Sequence, residues 1–160
     1  MTRTPPRTAP DAPNPPVAAP LLFLACFLPA YMLHIVLPLR ILPAGWSLIP
    51  AVLFTLGGVV IFSGAALAFR RAGTPLSAYK PAKKLLTTGA FLRTRNPIYL
   101  SVAWIYLGFA CWTASAWPFL FFPAAVYVVN RFVIAREEAH LEARFGQEYR
   151  DYKARVRRWM

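Results

Sequence analysis

Acidic residues are scarce in this 160-residue chain: six Asp and Glu stand against 18 Lys and Arg, a formal net charge of +12. Cysteine is scarcer still. Cys26 and Cys111 both sit inside apolar runs, outside any CxxC or Cys/His cluster. That excludes a zinc site or a disulfide framework and leaves two small core-filling thiols. His34 and His140 are isolated, and no role is assigned to either. Charged residues make up only 15% of the chain while hydrophobic ones reach 58%, too apolar a balance for an ordinary soluble domain. No Gly-rich phosphate loop and no groove-reading motif is present. The basic excess therefore does not point to nucleic acid; cytoplasmic loops obeying the positive-inside rule account for it.

What the chain does have is long apolar stretches, in a length that holds one compact domain. Met1 to Pro20 carries seven prolines with Arg3, Arg7 and Asp11, so residues 1–20 are expected to be a disordered tail rather than a helix. A cleaved signal peptide does not fit: the basic region is too long and proline-broken, and the apolar run after it exceeds a signal core. Residues 21–160 then form a single membrane domain. Four spans are read, at about Leu21–Leu39 (kinked or interrupted at Pro29), Trp46–Phe69, Ile98–Trp112 and Trp117–Ala135. Gly57-Gly58 and Gly64-Ala65-Ala66 offer small faces for close helix packing. Only Thr113 to Ala116 separates the last two spans, which predicts a tight antiparallel hairpin.

Charge sets the expected orientation. Arg70, Arg71, Lys80, Lys83, Lys84, Arg93 and Arg95 lie between spans two and three with no acidic residue among them, and Arg136 to Arg158 follow span four. The other two connections carry only Arg40. Both termini and the long basic loop are thus expected in the cytoplasm, as in a multi-pass protein of a bacterial inner membrane. The last segment, Arg136 to Arg158, places apolar residues at roughly helical spacing among charges and is expected to be a cytoplasmic helix or helix pair, broken at Gly146. It would lie at the interface or fold back as a lid.

Chemistry can be placed only in the two polar cassettes that flank the hairpin. In the first, Asn96-Pro97 reads as N-cap and first helical residue of span three. The exposed N–H groups and positive dipole end of that helix suit a carboxylate, although a well-capped membrane helix explains the pair equally. Arg93 and Arg95 flank this start, and Tyr99 lies one turn in, at headgroup depth. In the second cassette, Glu137 and Glu138 appear where span four leaves the bilayer, about 100° apart on a helix, so their duties should differ. Glu138 is expected on a solvated face, paired near Glu142 or Arg144. Glu137 is expected to face the hairpin, where it can accept hydrogen bonds from hydroxyls or an amino group, or attract a sulfonium; ordinary solvation is the alternative. Asn130 and Arg131 lie near the end of span four, facing the bundle or, for Arg131, snorkelling to the surface.

The stretch Gly89-Ala90-Phe91-x-x-x-Arg95-Asn96-Pro97-x-Tyr99, followed by Glu137-Glu138-x-x-Leu141-x-x-x-Phe145-Gly146-x-x-Tyr149-x-x-Tyr152 and a Val156-x-Arg158-Trp159 ending, resembles the isoprenylcysteine carboxyl methyltransferase family over about residues 73–160. The resemblance implies an all-α integral membrane enzyme with four transmembrane helices and a cytoplasmic C-terminal helical segment. It implies S-adenosylmethionine as cofactor, no metal, and transfer of its methyl group to a lipophilic acceptor. Position by position it implicates Lys83, Lys84, Leu85, Leu86, Phe91, Asn96, Pro97, Ile98, Tyr99 and Glu137 in cofactor binding, with Glu137 and Arg95 as catalytic residues. Asn96 stands where the family has His and Phe91 where it has Tyr. A substrate-contacting Arg of the eukaryotic enzymes falls near Val133, which makes the neighbouring Arg131 and Arg136 the candidate acceptor contacts. The acceptor class is open between a prenylcysteine carboxylate, a phospholipid amine and another small lipophilic group. A membrane reductase using NADPH and a non-enzymatic lipid-binding scaffold are the competing readings. Membrane lipids are expected partners, and the small-residue faces leave a homodimer open.

Overall fold

A computed structural model describes residues 17–41, 43, 45–74 and 84–160. Most of the proline-rich tail and Lys83 lie outside the described residues. Among the described residues six α-helices form: α1 (Ala19–Val36), α2 (Leu48–Ala72), α3 (Pro97–Trp112), α4 (Ala116–Val129), α5 (Ala135–Phe145) and α6 (Gln147–Arg155). Among the described residues there is no strand beyond one isolated bridge, Arg40 with Ser115.

The architecture is all-helical, as expected, with span lengths that differ from the expected set. Three helical stretches are long and apolar enough to cross a membrane: Ala19–Val36, Leu48–Ala72 and Ala116–Phe145. α3 has 16 residues, about 24 Å of helix against a hydrocarbon core of about 30 Å. Its length is cut by Pro97 at one end and the Thr113–Ser115 turn at the other. α3 is also the most enclosed helix, with Tyr99, Ala103, Tyr106, Ala110 and Cys111 all buried. α1 runs unbroken through Pro29. Nor does the last apolar helix stop near residue 135: α4 continues through a π-helical turn, Asn130–Ile134, directly into α5.

Close backbone approach between α2 and α3 follows from glycine on both partners. A methyl group added at Gly58 would stand 2.8 Å from the Ser101 carbonyl oxygen and 2.7 Å from Ile105 Cγ1. One at Gly57 would meet the Trp104 ring at 2.6 Å, and one at Gly108 would collide with Thr55. In lipid, where burying apolar surface gains little, such backbone proximity is the main source of helix association. α1 packs against α3 and α4 through aromatic contacts, Phe27 lying 5.4 Å edge-on from Tyr106. The Tyr106 hydroxyl in turn donates to the Pro118 carbonyl at 2.9 Å, tying α3 to α4.

The two ends of the bundle are built differently. At one, residues after α1 pair with the α3–α4 turn: Ile41 N–H reaches Ala114 O, Ala116 N–H reaches Leu39 O, and the Trp117 indole donates to Leu37 O. At the other, α2 ends on Gly73, whose φ of +60° lets its N–H and that of Thr74 close on the Phe69 and Arg70 carbonyls. There the loop from residue 84, a 3-10 turn at Gly89–Leu92, α5, α6 and the chain's last residues come together around Phe91, Tyr149 and Tyr152. The expected break at Gly146 is present, at φ +56° between α5 and α6. Both polar cassettes therefore sit at one end of the bundle.

Replacing Gly58 with Ala should lower the thermal midpoint in detergent, by a destabilisation of about 1–3 kcal/mol from overpacking against backbone. Gly64→Ala, whose added methyl would stand 3.8 Å from Ala90 Cβ, should leave the midpoint unchanged or raise it slightly. Scanning fluorimetry of the two variants side by side checks this.

Candidate functional site

The start of α3 and the chain's C-terminus form a clasp. Val156 leaves α6 in extended conformation, and the residues after it run beside the 94–96 loop. Arg95 N–H donates to Arg157 O at 3.0 Å, Thr94 Oγ1 to Arg158 O at 2.9 Å, and Asn96 Nδ2 to the same carbonyl at 3.1 Å. Asn96 does hold the N-cap position and Pro97 the first helical one, but the expected side-chain cap is not made. The Asn96 amide is committed to Arg158, and its backbone carbonyl accepts the first helical bond, from Leu100 N–H at 2.9 Å.

Glu138 fastens the clasp from α5. It is 5% exposed, and its carboxylate accepts from Arg158 Nη2 at 2.6 Å, Arg158 Nε at 3.2 Å and Arg95 Nη2 at 3.1 Å. Arg95 also donates through Nη1 to Lys153 O at 3.1 Å. The expectation of a solvated Glu138 is thus overturned: it is the buried centre of a two-arginine network. The reason is spatial, since α6 and the C-terminal residues cover the side of α5 on which it stands. Glu138 also holds the Arg158 guanidinium above its ordinary pKa, so that guanidinium stays charged at any physiological pH. Nearby, the Tyr152 hydroxyl donates to Phe91 O at 2.8 Å, and burial pushes that phenol up to about 12. Burial and the neighbouring Glu138 carboxylate push Tyr149 up as well. Both phenols therefore remain neutral donors.

Glu137 has the other duty. Tyr99 Oη donates to Glu137 Oε2 at 2.6 Å, joining the first turn of α3 to the first turn of α5. The π turn makes this register. Its signature is the Ala135 N–H bonding Asn130 O, five residues back. On an unbroken α-helix the residue seven beyond buried Val129 is Arg136, which would point into the bundle. The extra residue in the turn puts Glu137 on that line, with Glu138 about 100° further round, and leaves Arg136 outside.

The expected residues divide as follows. Asn96, Pro97, Tyr99 and Glu137 converge, with Ile98, Leu85 and Leu86 packed on the adjacent cluster of Phe91, Tyr149 and Tyr152. Lys84 is exposed, and Lys83 lies outside the described residues. Arg95 is close by, with its charge taken up by Glu138. Arg131 and Arg136 are exposed on the outer side of the helix and join none of these bonds. The sequence reading missed the Glu138 network and the Trp159 indole, which donates to Asn130 Oδ1 at 3.1 Å and packs against the interhelical core. The arginine and tryptophan of the Val-x-Arg-Trp ending were the only signal for either.

Residues 46–148, close to two thirds of the chain, match the sequence model of the phospholipid methyltransferase family. A 63-residue stretch is 44% identical to an uncharacterized protein of Haemophilus influenzae, covering 39% of this chain and the whole of that one. No solved structure matches.

Removing the Glu138 carboxylate should strand the buried Arg95, while Arg158, whose side chain is 38% exposed, can turn to solvent. Glu138→Ala is expected to cost about 3–5 kcal/mol, whereas Glu142→Ala, which breaks the exposed pair with Lys153, should cost less than about 1 kcal/mol. Thermal melting of both variants gives the comparison.

Proposed function

The chain belongs to the phospholipid methyltransferase family, within the same group of membrane methyltransferases as the enzymes its motifs resemble, and on that premise we propose that it transfers a methyl group from S-adenosylmethionine to a lipophilic acceptor. The observation that carries the reading is the Tyr99–Glu137 hydrogen bond at the mouth of α3. A phospholipid amine is the acceptor that best fits the family; a prenylcysteine carboxylate fits the same architecture. Family membership takes precedence over the reductase and scaffold readings.

The donor set fits the cofactor. A carboxylate at Glu137 suits ribose hydroxyls, an ammonium or a sulfonium, and the first-turn N–H groups of α3 suit a carboxylate. S-Adenosylmethionine, when bound, supplies a methyl group already activated on a positively charged sulfur. The protein has mainly to align the partners and exclude water, for which no covalent intermediate is needed. Asn96, Pro97, Ile98 and Tyr99 form the helix start that holds the cofactor, with Leu85, Leu86 and Phe91 as the apolar wall beside it and Lys83 and Lys84 on the approaching loop. Glu137, fixed in orientation by Tyr99, holds the cofactor and takes up the proton that an amine acceptor releases. Arg95 serves as a positioning residue, keeping the Asn96–Tyr99 turn against α5 through Glu138. Asn96, standing where the family has His, orients the helix start without titrating. α3 serves as the fourth, short crossing. The basic residues at the clasp end support a cytoplasmic placement of both termini in a bacterial inner membrane. The cofactor then enters from the cytoplasm and the acceptor laterally from the bilayer.

Calorimetry of S-adenosylhomocysteine binding to the detergent-purified protein tests this. Wild type should bind. Glu137→Gln, which keeps the shape and removes the charge, should bind at least about tenfold more weakly, the scale of a charged hydrogen bond. Asn96→Ala should weaken binding as well. No binding by folded wild type, or unchanged binding by Glu137→Gln, overturns the proposal.

A further inference from the structure

The outer side of the same helix carries a second pattern. Among the exposed positions from α4 into α5, which also include Leu120, Pro123, Ala124 and Phe132, one line runs through Tyr127, Arg131, Arg136 and Ala139. The steps from Tyr127 are four, five and three residues, and the five-residue step spans the π turn. Residues five apart on an α-helix diverge by about 140°. Here the Asn130–Ala135 bond adds a residue to the turn, so Arg131 and Arg136 stand one above the other, as residues four apart do elsewhere. The displacement that brings Glu137 inward thus aligns two guanidinium groups outward.

Three further observations say what this pair faces. Among the described residues neither arginine has a carboxylate partner, while Arg95, Arg158 and Lys153 each hold one. The exposed surface on the bilayer side of them is apolar and aromatic: Leu120 is 61% exposed, Tyr127 66% and Phe132 44%. And the pair sits where the apolar stretch ends and the charged one begins, at the depth of lipid headgroups, with Tyr127 one turn deeper as an interface aromatic. Stacked, planar, unpaired guanidinium groups at that depth match the oxygens of a phosphate, to which arginine donates in bidentate fashion.

We infer that Arg131 and Arg136 form a binding site for the phosphate of an anionic phospholipid, on the lipid-facing side of the helix whose inner side carries Glu137. The occupant is a membrane lipid rather than a free anion, because the site opens onto the apolar surface where the acyl chains lie. The inference stands on the π register and the exposed face, and does not depend on the methyltransferase reading.

Native mass spectrometry of the protein released from mixed phosphatidylglycerol and phosphatidylcholine micelles tests it. Wild type should retain phosphatidylglycerol preferentially. Arg131→Gln/Arg136→Gln should retain it about thirtyfold less, since two basic residues near an anionic surface each contribute on the order of 1 kcal/mol. Arg144→Gln/Arg150→Gln, exposed residues whose loss changes net charge equally, should keep the preference. Equal loss in both double variants would mean bulk charge alone and overturn the site. So would the absence of any preference in wild type, or displacement of the lipid by millimolar inorganic phosphate. Thermal midpoints confirm that both variants fold. S-Adenosylhomocysteine binding should be unchanged in both, which separates this site from the inner one.

Discussion

The Glu138 carboxylate, shared between Arg95 and Arg158, is the contact on which the clasp end of this protein depends. It draws together three segments far apart in sequence: the loop entering α3, the helix leaving the bundle, and the last residues of the chain. A buried carboxylate is costly alone and tolerable only with its hydrogen bonds complete. Here three N–H donors meet it, and the same arginines reach carbonyls or flank the backbone bonds of the clasp. Asn96 is oriented because Arg158 is held, and Tyr99 reaches Glu137 because the start of α3 is held against α5. The network acts on the site through position, holding the start of α3 against α5, while its one carboxylate and two guanidinium groups leave one net positive charge.

The second constraint is the π turn. A turn of i→i+5 bonding packs its backbone less well than an α-helix and persists where something else requires the register. Two things do. Inward, it replaces an arginine with a carboxylate at the point where α4 passes Tyr99. Outward, it stacks two arginines that would otherwise diverge. One extra residue therefore sets the sign of charge on both faces of one helix. The Trp159 indole, bonded to Asn130 Oδ1 at the first residue of the turn, ties this register to the clasp.

Some of this was legible in the sequence. The apolar stretches located the helices, Gly57-Gly58 marked the α2–α3 contact, Gly146 marked the break before α6, and the 100° between Glu137 and Glu138 indicated separate duties. Their assignment was half right. Glu137 faces the hairpin as expected, through a register shift that helical periodicity alone does not give, but Glu138 was expected in water because its partners lie 20 and 43 positions away, beyond the reach of helical spacing. Asn96 was expected to cap its own helix because that is the local use of an asparagine, yet a carbonyl from residue 158 competes for the amide and wins it. The π turn leaves no mark in residue type. The bounds of α3 were legible to within one residue, but at 16 residues it is shorter than the helices long enough to cross a membrane, and composition alone does not show how far its neighbours enclose it.

The start of α3 is sheltered by the residues that follow α5. α6 and the residues after it are held there by one carboxylate and by three hydrogen bonds to residues 94–96. The consequence is a division of labour along a single helix. Its apolar half packs the bundle, its π turn selects which charges face in, and its polar half supplies adjacent carboxylates, one to hold the cover and one to receive the Tyr99 hydroxyl. Placing both on consecutive residues couples the two contacts: any motion of α5 that loosened the cover would also move Glu137 away from Tyr99.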